Sequence, residues 1–274
     1  MDNDLMNGIL DSDLALLGQD DDAGANRLPF PAAYAFWANG APAMKQLGGV
    51  DYFGGWRLPE KGLLEVCPTP PAFLKRAEFD AGQEVKVSYT ARTLHVAPFA
   101  ARRWWTDKNT KTRYGEPAKG RSPSIQILGA LQISKEGANV PVVLNLDGWQ
   151  VTYYQDALKA WRDAITKHIR DLTAQRVDVF AFWLTFGTHG DKPETRRVGQ
   201  GNVTKDINPV TAVLPAEWDA ARLKARFVGV ENLRQFAAWK QQAAPWLDHY
   251  KHASIAQENT PAPAPDWPPS DEAF

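Results

Sequence analysis

The sequence of 274 residues contains almost no cysteine and no long apolar run. Its single cysteine, Cys67, cannot form an intramolecular disulfide, and it leaves no thiol cluster that could hold zinc. No window approaches the roughly twenty apolar residues that a membrane-spanning helix needs. The first residues, MDNDLMNGIL, lack the basic start and the apolar core of a secretory signal. The composition therefore predicts a cytoplasmic protein without a membrane partner.

The sequence motifs of several enzyme classes are also missing. Neither the phosphate-binding pattern GxxxxGK[ST] nor the nucleophile pattern GxSxG occurs. His189 has no second histidine at ligand spacing, and His249 and His252 lack acidic or cysteine neighbours in register. Cys67 precedes Pro68 in a predicted turn without an evident base. We therefore predict a protein that is not an enzyme and that uses no metal or other cofactor.

What the chain does contain is an uneven distribution of charge. Residues 1–22 carry seven Asp and no Lys or Arg, a net charge of −7, and residues 253–274 carry a net charge of −4. All 31 basic residues lie between 23 and 252, against 21 acidic ones, which gives this core a net charge of +10. A basic core between acidic tails favours a polyanionic partner, and the alternative is that the tails merely aid solubility.

Hydrophobic periodicity predicts an α+β domain. Alternating apolar residues predict strands in EVKVSY, SIQILGALQI and VPVVLNL, and the apolar run VDVFAFWLTF (177–186) predicts a strand buried on both faces. A helical stripe predicts a helix over 154–175, and residues 216–255 predict terminal helices that break near Pro245. We expect an antiparallel sheet or small barrel with one packed helix and C-terminal helices.

The stretch ARRWWTDKNTKTRYGEPAKGRSPSIQIL (101–128) combines cations with aromatic rings. Its middle is rich in Thr, Asn, Gly and Pro, which predicts a long basic loop or a hairpin arm with a flexible tip. Cations follow phosphates and aromatic faces stack on bases, so the combination is typical of single-strand binding. The alternative is an exposed loop whose two tryptophans pack inward. Strand alternation leaves at most one of Trp104 and Trp105 free to stack on a base.

A second polar loop follows the predicted buried strand and reads THGDKPETRRVGQGNVTKDINP. Taken alone it favours a solvated connection, but its glycines and cations would also let it lie along a nucleic-acid backbone beside the first loop. The two loops together supply the predicted nucleic-acid contacts. These are Arg102, Arg103, Trp104, Trp105, Lys108, Lys111, Arg113, Tyr114, Lys119, Arg121, Arg196 and Arg197.

The C-terminal residues PAPAPDWPPSDEAF are too rich in proline for a helix or a sheet, and they carry two adjacent carboxylates and a phenylalanine. With the basic, aromatic β domain, this tail resembles that of bacterial and phage single-stranded DNA-binding proteins. The resemblance implies an OB-like barrel around the strand and a tail whose Asp271, Glu272 and Phe274 dock on replication or repair proteins. Ala273 departs from that family, which usually has proline there. The segments LPFPAAYAFWANG and YFGGW are also similar to uncharacterised proteins of phages and plasmids, which suits a mobile-element role.

These observations divide the chain into an acidic disordered tail (1–26), a basic α+β nucleic-acid-binding core (27–253) and a Pro-rich acidic tail (254–274). The predicted function is non-catalytic coating of single-stranded DNA, with RNA as the alternative ligand and a homo-oligomer as a possible assembly. Two other classes stay open. One is a nuclease or other nucleic-acid-processing enzyme, and the other is a Trp-rich module that binds protein or carbohydrate.

The charge distribution generates a prediction about the tails. If the acidic tails compete with nucleic acid for the basic core, deleting residues 1–22 and 255–274 raises the affinity for a single-stranded oligonucleotide and changes its salt dependence. A fluorescence titration of both proteins at several salt concentrations measures both quantities. Unchanged affinity and an unchanged salt slope would rule out this competition.

Overall fold

The described part of the chain forms an α+β structure around one large sheet. In this computed structural model, ten strands build a mixed sheet that curls into a half-barrel, and five helices accompany it. The acidic segments 1–26 and 258–274 lie outside the described residues. The structure describes residues 27–38, 55–80, 85–107, 109–134, 137–170, 178–188, 194–200 and 203–257.

Nine strands of the main sheet follow the order β12-β9-β5-β7-β8-β1-β2-β4-β3, and the tenth, the short β6, pairs with β5. A separate hairpin is formed by β10 and β11. The strands are β1 (Ala33–Ala38), β2 (Gly55–Pro59), β3 (Lys75–Asp80), β4 (Val85–Ala91), β5 (Thr93–Asp107), β6 (Arg113–Tyr114), β7 (Arg121–Gln132), β8 (Asn139–Asp147), β9 (Leu184–Gly187), β10 (Arg196–Gln200), β11 (Val203–Ile207) and β12 (Thr211–Ala212).

The predicted α+β class is confirmed, but the sheet is mixed rather than antiparallel. Strand β1 runs parallel to β8, with Ala33 opposite Val142, whereas the other paired strands are antiparallel. Alternation within a strand carries no information about the direction of a partner that lies a hundred residues away. This pairing therefore could not be predicted from the pattern.

The predicted buried strand at 177–186 is wrong in its first half. Residues Val179–Ala181 form a 3₁₀ turn, and the strand proper is β9. The side chain of Asp178 accepts a hydrogen bond from the backbone N–H of Phe180, which caps the turn. This local hydrogen bond competes with the strand that the apolar residues favour, so only the second half of the run joins the sheet.

The helices are α1 (Glu60–Val66), α2 (Trp149–Arg170), α3 (Ala220–Arg226), α4 (Val230–Gln242) and α5 (Ala244–Gln257). The break between α4 and α5 at Ala243 confirms the predicted interruption near Pro245. Helix α5 ends at Gln257, so its last turn lies inside the segment that the sequence assigns to the tail. Within the described ranges, no helix is long and apolar enough to cross a membrane.

The two faces of the sheet carry separate apolar clusters. Helix α2 packs Trp161 and Ile165 on one face, against Ile125 and Leu144 of the central strands. On the opposite face, Trp246 of α5 joins a smaller cluster, and α4 packs beside it. We call these the α2 face and the α5 face. Because successive residues of a strand point to opposite faces, each strand divides its side chains between them.

Gly187, the last residue of β9, lies where the backbone of the neighbouring strand comes very close. A Cβ atom at this position would stand 2.0 Å from the carbonyl oxygen of Arg92 and 2.7 Å from the Cα of Thr93. Both are backbone atoms of the segment that leads into β5, so neither can move away as a flexible side chain could. Only glycine fits this position without a shift of β9 away from β5.

We therefore expect Gly187→Ala to destabilise the protein by about 3 kcal/mol, the upper range for an overpacked site. Denaturant unfolding followed by circular dichroism measures this change. Gly62→Ala is the matched control, because a Cβ there meets nothing closer than a carbonyl oxygen at 4.0 Å. Since alanine favours a helix by up to about 1 kcal/mol over glycine, this control is expected to be neutral or stabilising. Equal effects of the two substitutions would contradict the close approach at β9.

Candidate nucleic-acid interface

The predicted basic stretch is an arm in which β5 pairs with β7 on one side and with the short β6 on the other. Strands β5 and β7 stay paired as far as Asp107 opposite Arg121, whereas the neighbouring β8 ends at Asp147, opposite Ser124. Residues 102–124 therefore include the part of β5 and β7 that continues past the end of β8. We call this segment the arm. Of the two forms that the sequence allows, a loop or a hairpin arm, the structure has the second.

The tip of the arm is held by local hydrogen bonds. The Asp107 carboxylate accepts the backbone N–H groups of Asn109 (2.8 Å) and Thr110 (3.1 Å). These bonds, that of Thr110 first, lower the pKa of Asp107 because they stabilise its charged form. Lys111 adopts the left-handed conformation at φ 59° and returns the chain to β6. This turn directs Arg113 and Tyr114 back along β5.

Strand alternation sorts the arm's side chains into two rows. Arg103 lies opposite Ile125, which belongs to the α2 face, and Trp105 lies two residues further on the same side. Tyr114, on β6, is the cross-strand partner of Trp105. Arg121, on β7, is the partner of Asp107, two residues beyond Trp105 on the same side. These four residues, Arg103, Trp105, Tyr114 and Arg121, form what we call the front row. Arg103 is exposed, and Trp105, Tyr114 and Arg121 are half-buried.

Arginines stack on the aromatic rings of the front row. The guanidinium carbon of Arg121 lies 3.4 Å from the ring centroid of Tyr114, and that of Arg103 lies 6.0 Å from the ring centroid of Trp105. Within the described residues, neither arginine forms an ion pair with a carboxylate. A stacked guanidinium keeps N–H donors at its edge for a phosphate. The front row therefore presents positive charge and ring surface together.

The other row, with Arg102, Trp104 and Arg113, faces α5 and is termed the back row. Arg102 is only 3% exposed. Its Nε donates a hydrogen bond to Gln126 Oε1 at 2.7 Å, and its Nη1 donates to the Trp246 carbonyl oxygen at 3.1 Å. The guanidinium also lies 3.9 Å from the ring centroid of Trp246. Burial disfavours its charge and lowers the pKa of Arg102 to about 10, so it stays protonated at neutral pH.

Trp104 and Arg113 complete the contact between the arm and α5. Trp104 is also 3% exposed, and its ring lies 4.8 Å from that of Tyr250. Arg113 Nη1 donates a hydrogen bond of 2.8 Å to the Tyr250 hydroxyl. Arg102 and Trp104 thus lie inside the protein, and we leave them out of the surface proposed below. The predicted limit of one outward tryptophan in the pair is confirmed, and the outward one is Trp105.

The remaining predicted contacts lie in three places. Lys111 and Lys119 lie on the turns of the arm, and Lys119 is exposed. Arg196 and Arg197 lie on β10, outside the arm, in exposed ion pairs with Glu194 and Asp206 respectively. Lys108 and the tail residues Asp271, Glu272 and Phe274 lie outside the described residues.

Two residues that pack against the back row, Trp246 and Tyr250, are not among the predicted contacts. Trp246 and Tyr250 lie four residues apart, so they share one side of α5, which contacts Arg102 and Trp104. An aromatic pair at this spacing is itself a signal that a helix buries one side. It does not reveal which strand the helix covers, because that depends on how the chain folds after β8.

Groups of three or more His, Cys, Asp or Glu side chains that could hold a metal ion are not found among the residues that the structure describes. His189, considered above as a fragment of such a site, lies outside them. Comparison with protein-family models, curated proteins and solved structures finds no match for this chain. The functional interpretation therefore depends on the geometry and charge of the arm.

The two rows predict that substitutions of the adjacent arginines change the unfolding free energy by very different amounts. Arg102→Ala removes a buried side chain and leaves two acceptors without their donor, so we expect a loss of about 2–4 kcal/mol of unfolding free energy. Arg103→Ala removes an exposed side chain, so we expect a change within about 0.5 kcal/mol. Denaturant unfolding of both variants measures the difference. Similar destabilisation by both would show that the arm does not divide into a buried and an exposed row.

Proposed function

We propose that this protein binds single-stranded nucleic acid, chiefly DNA, through the front row of the arm and without catalytic turnover. The observation that carries the proposal is the solvent-facing row of Arg103, Trp105, Tyr114 and Arg121, which combines guanidinium groups with aromatic rings. Phosphates attract the cations, and bases stack on the rings whatever their sequence. Coating of single strands during replication or repair in the cytoplasm, in a phage or another mobile element, is the role that this chemistry suits.

The shape of the sheet supports the same proposal. A single-stranded nucleic acid that lies against a curled sheet contacts more side chains than one on a flat surface. OB-folds bind oligonucleotides in this way. We infer an OB-like use of the half-barrel rather than an OB-fold in the strict sense. The main sheet has ten strands, whereas an OB-fold is a five-stranded Greek-key barrel.

The acidic C-terminal segment provides a second part of the proposal. Asp271, Glu272 and Phe274 supply the charge and the ring that a basic-rimmed apolar pocket on a replication or repair protein would accept. Helix α5, which precedes this segment, is fixed to the back of the arm by Tyr250 and Trp246. A partner protein recruited through these residues would therefore be tethered, through α5, to the arm that binds the nucleic acid.

The experiment compares a labelled single-stranded oligonucleotide, a duplex of equal length and an RNA of the same sequence at low and high salt. We expect tight, salt-sensitive binding of the single strand. Arg103→Ala should weaken it and reduce the salt slope by about 0.7, the value for one lost phosphate contact on a single strand. Trp105→Ala should cost about 1–3 kcal/mol of binding free energy, that of one base stack, at an unchanged salt slope.

Matched controls come from exposed residues on other elements. Arg234→Ala removes an arginine of α4 whose side chain is 74% exposed, and Phe73→Ala removes an exposed ring near α1. Neither variant should change the affinity. Binding that ignores salt would favour a protein- or carbohydrate-binding module instead, and metal-dependent cleavage of the oligonucleotide would favour a nuclease. Absence of binding to all three ligands would overturn the proposal.

A further inference from the structure

Trp149, the first residue of α2, is a large side chain exposed close to the arm. It is 50% exposed, and among the described residues no ring contact or hydrogen bond involves its side chain. The preceding Gly148 donates its backbone N–H to the Pro123 carbonyl oxygen at 2.8 Å, and Pro123 is the cross-strand partner of Trp105. Summed along this path, the Cα atoms of Trp149 and Trp105 are at most roughly 16 Å apart.

Trp149 and the front row lie on the same side of the sheet. Val151 and Tyr154, in the first turns of α2, pack into the cluster of the α2 face that also contains Ile125. Arg103 is the partner of Ile125 on β5, so its side chain leaves the sheet on that face. The start of α2 therefore borders the surface on which the front row is exposed, whereas α5 covers the opposite face.

One turn further along α2, cations come into contact with the helix. The guanidinium carbon of Arg196 lies 5.2 Å from the ring centroid of Tyr153, which is four residues from Trp149 and on the same side of the helix. The β10–β11 hairpin that carries Arg196 is fixed there through Asn208. The Asn208 carbonyl oxygen accepts a hydrogen bond of 2.8 Å from Gln150 Nε2. The side-chain Nδ2 of Asn208 donates to the Glu194 carbonyl oxygen at 3.1 Å.

The ion pairs of the hairpin do not prevent these arginines from binding phosphate. Arg196 with Glu194 and Arg197 with Asp206 are solvent-exposed pairs, and the second spans 3.8 Å. Exposed pairs of this kind contribute about 0–1 kcal/mol, so a phosphate can replace the carboxylate at little cost. A surface of cations and rings thus extends from the arm, across the start of α2, to β10.

We propose that the single strand bound by the front row continues over Trp149, which stacks on a base, to Arg196 and Arg197, which contact phosphates. This inference rests on the proposed function and extends its site to a second half. The arm alone holds a short oligonucleotide, and the path over α2 adds contacts only when the strand is long enough to reach it. Trp149 is then a binding residue that determines how many nucleotides one protein covers.

The test measures affinity against length for the full chain, with oligothymidylates from about 4 to about 20 nucleotides, which bracket the sites of about 4–16 nucleotides typical of one binding fold. We expect Trp149→Ala to leave the shortest oligonucleotides unaffected and to weaken the longest by about tenfold, the effect of one lost stack. Trp149→Phe retains a ring and should preserve most of the affinity. Trp105→Ala should weaken every length.

Two further variants sharpen the comparison. Arg196→Ala with Arg197→Ala should reduce the salt slope by about 1.4 for long oligonucleotides, the value for two phosphate contacts, and by nothing for short ones. Phe73→Ala is the control for loss of an exposed ring. If Trp149→Ala fails to fold, Trp149→Phe still reports on the site, because long oligonucleotides should quench more fluorescence in the original protein than in this variant.

Failure of this inference differs from failure of the proposed function. If Trp149→Ala has the affinity of the original protein at every length while Trp105→Ala binds weakly, the nucleic acid does not pass over α2, although the arm still binds it. If Trp149→Ala weakens all lengths equally, Trp149 belongs to the arm's own site, and the proposed extension is also wrong. If the original protein binds no oligonucleotide, both proposals fall.

Discussion

The pairing of β5 with β7 is the constraint on which the rest of the structure depends. These two strands form the centre of the sheet, connect β9 on one side to β8 on the other, and continue outward as the arm. Because the pairing is regular from Ala100 to Asp107, it fixes which side chains point to each face. One face of the arm is then covered by α5, and the other faces the solvent beside α2. The proposed binding surface and a packing surface thus use alternate residues of β5.

The buried arginine shows how this division is maintained. Arg102 loses hydration on burial, which its lowered pKa reflects, and it regains polar partners in Gln126 and the Trp246 carbonyl oxygen. Gln126 in turn donates to Asn145 on β8, so the polar contact runs across three neighbouring strands. A leucine in place of Arg102 could fill the space but would leave these acceptors without a donor. The hydrogen bonds therefore specify where α5 lies on the sheet, in addition to the apolar contacts.

Short-range patterns predicted much of the fold, and two features were missed where such a pattern is broken or begins late. Alternation identified β7 and β8, and the helical stripe identified most of α2. Strand β5 was missed because a register shift between Pro98 and Ala100 breaks its alternation. Trp149 was missed because the predicted stripe begins at Leu158, so the first turn of the helix was not recognised. In both cases the local sequence carried too weak a pattern to identify the residues.

The candidate site illustrates the same limit. The density of charges and rings identified the arm. It could not distinguish the buried Arg102 from the exposed Arg103, because composition does not indicate the face on which a residue lies. The reasoning that allowed only one of the two adjacent tryptophans to point outward applies equally to the two arginines. Applied to the whole stretch, it would have divided the predicted contacts into two rows. Which row is covered still depends on α5, whose position on the sheet is fixed by Trp246 and Tyr250.

The alternation of the arm also limits how its length can change. Inserting or deleting one residue in β5 between the sheet and the tip would turn Arg103 and Trp105 toward α5 and expose Trp104 to water. Both the packing of the helix and the outward surface would be lost in a single step. Insertion of two residues in each of β5 and β7 preserves the faces and lengthens the arm by roughly 7 Å. Relatives of this protein should therefore differ in arm length by even numbers of residues.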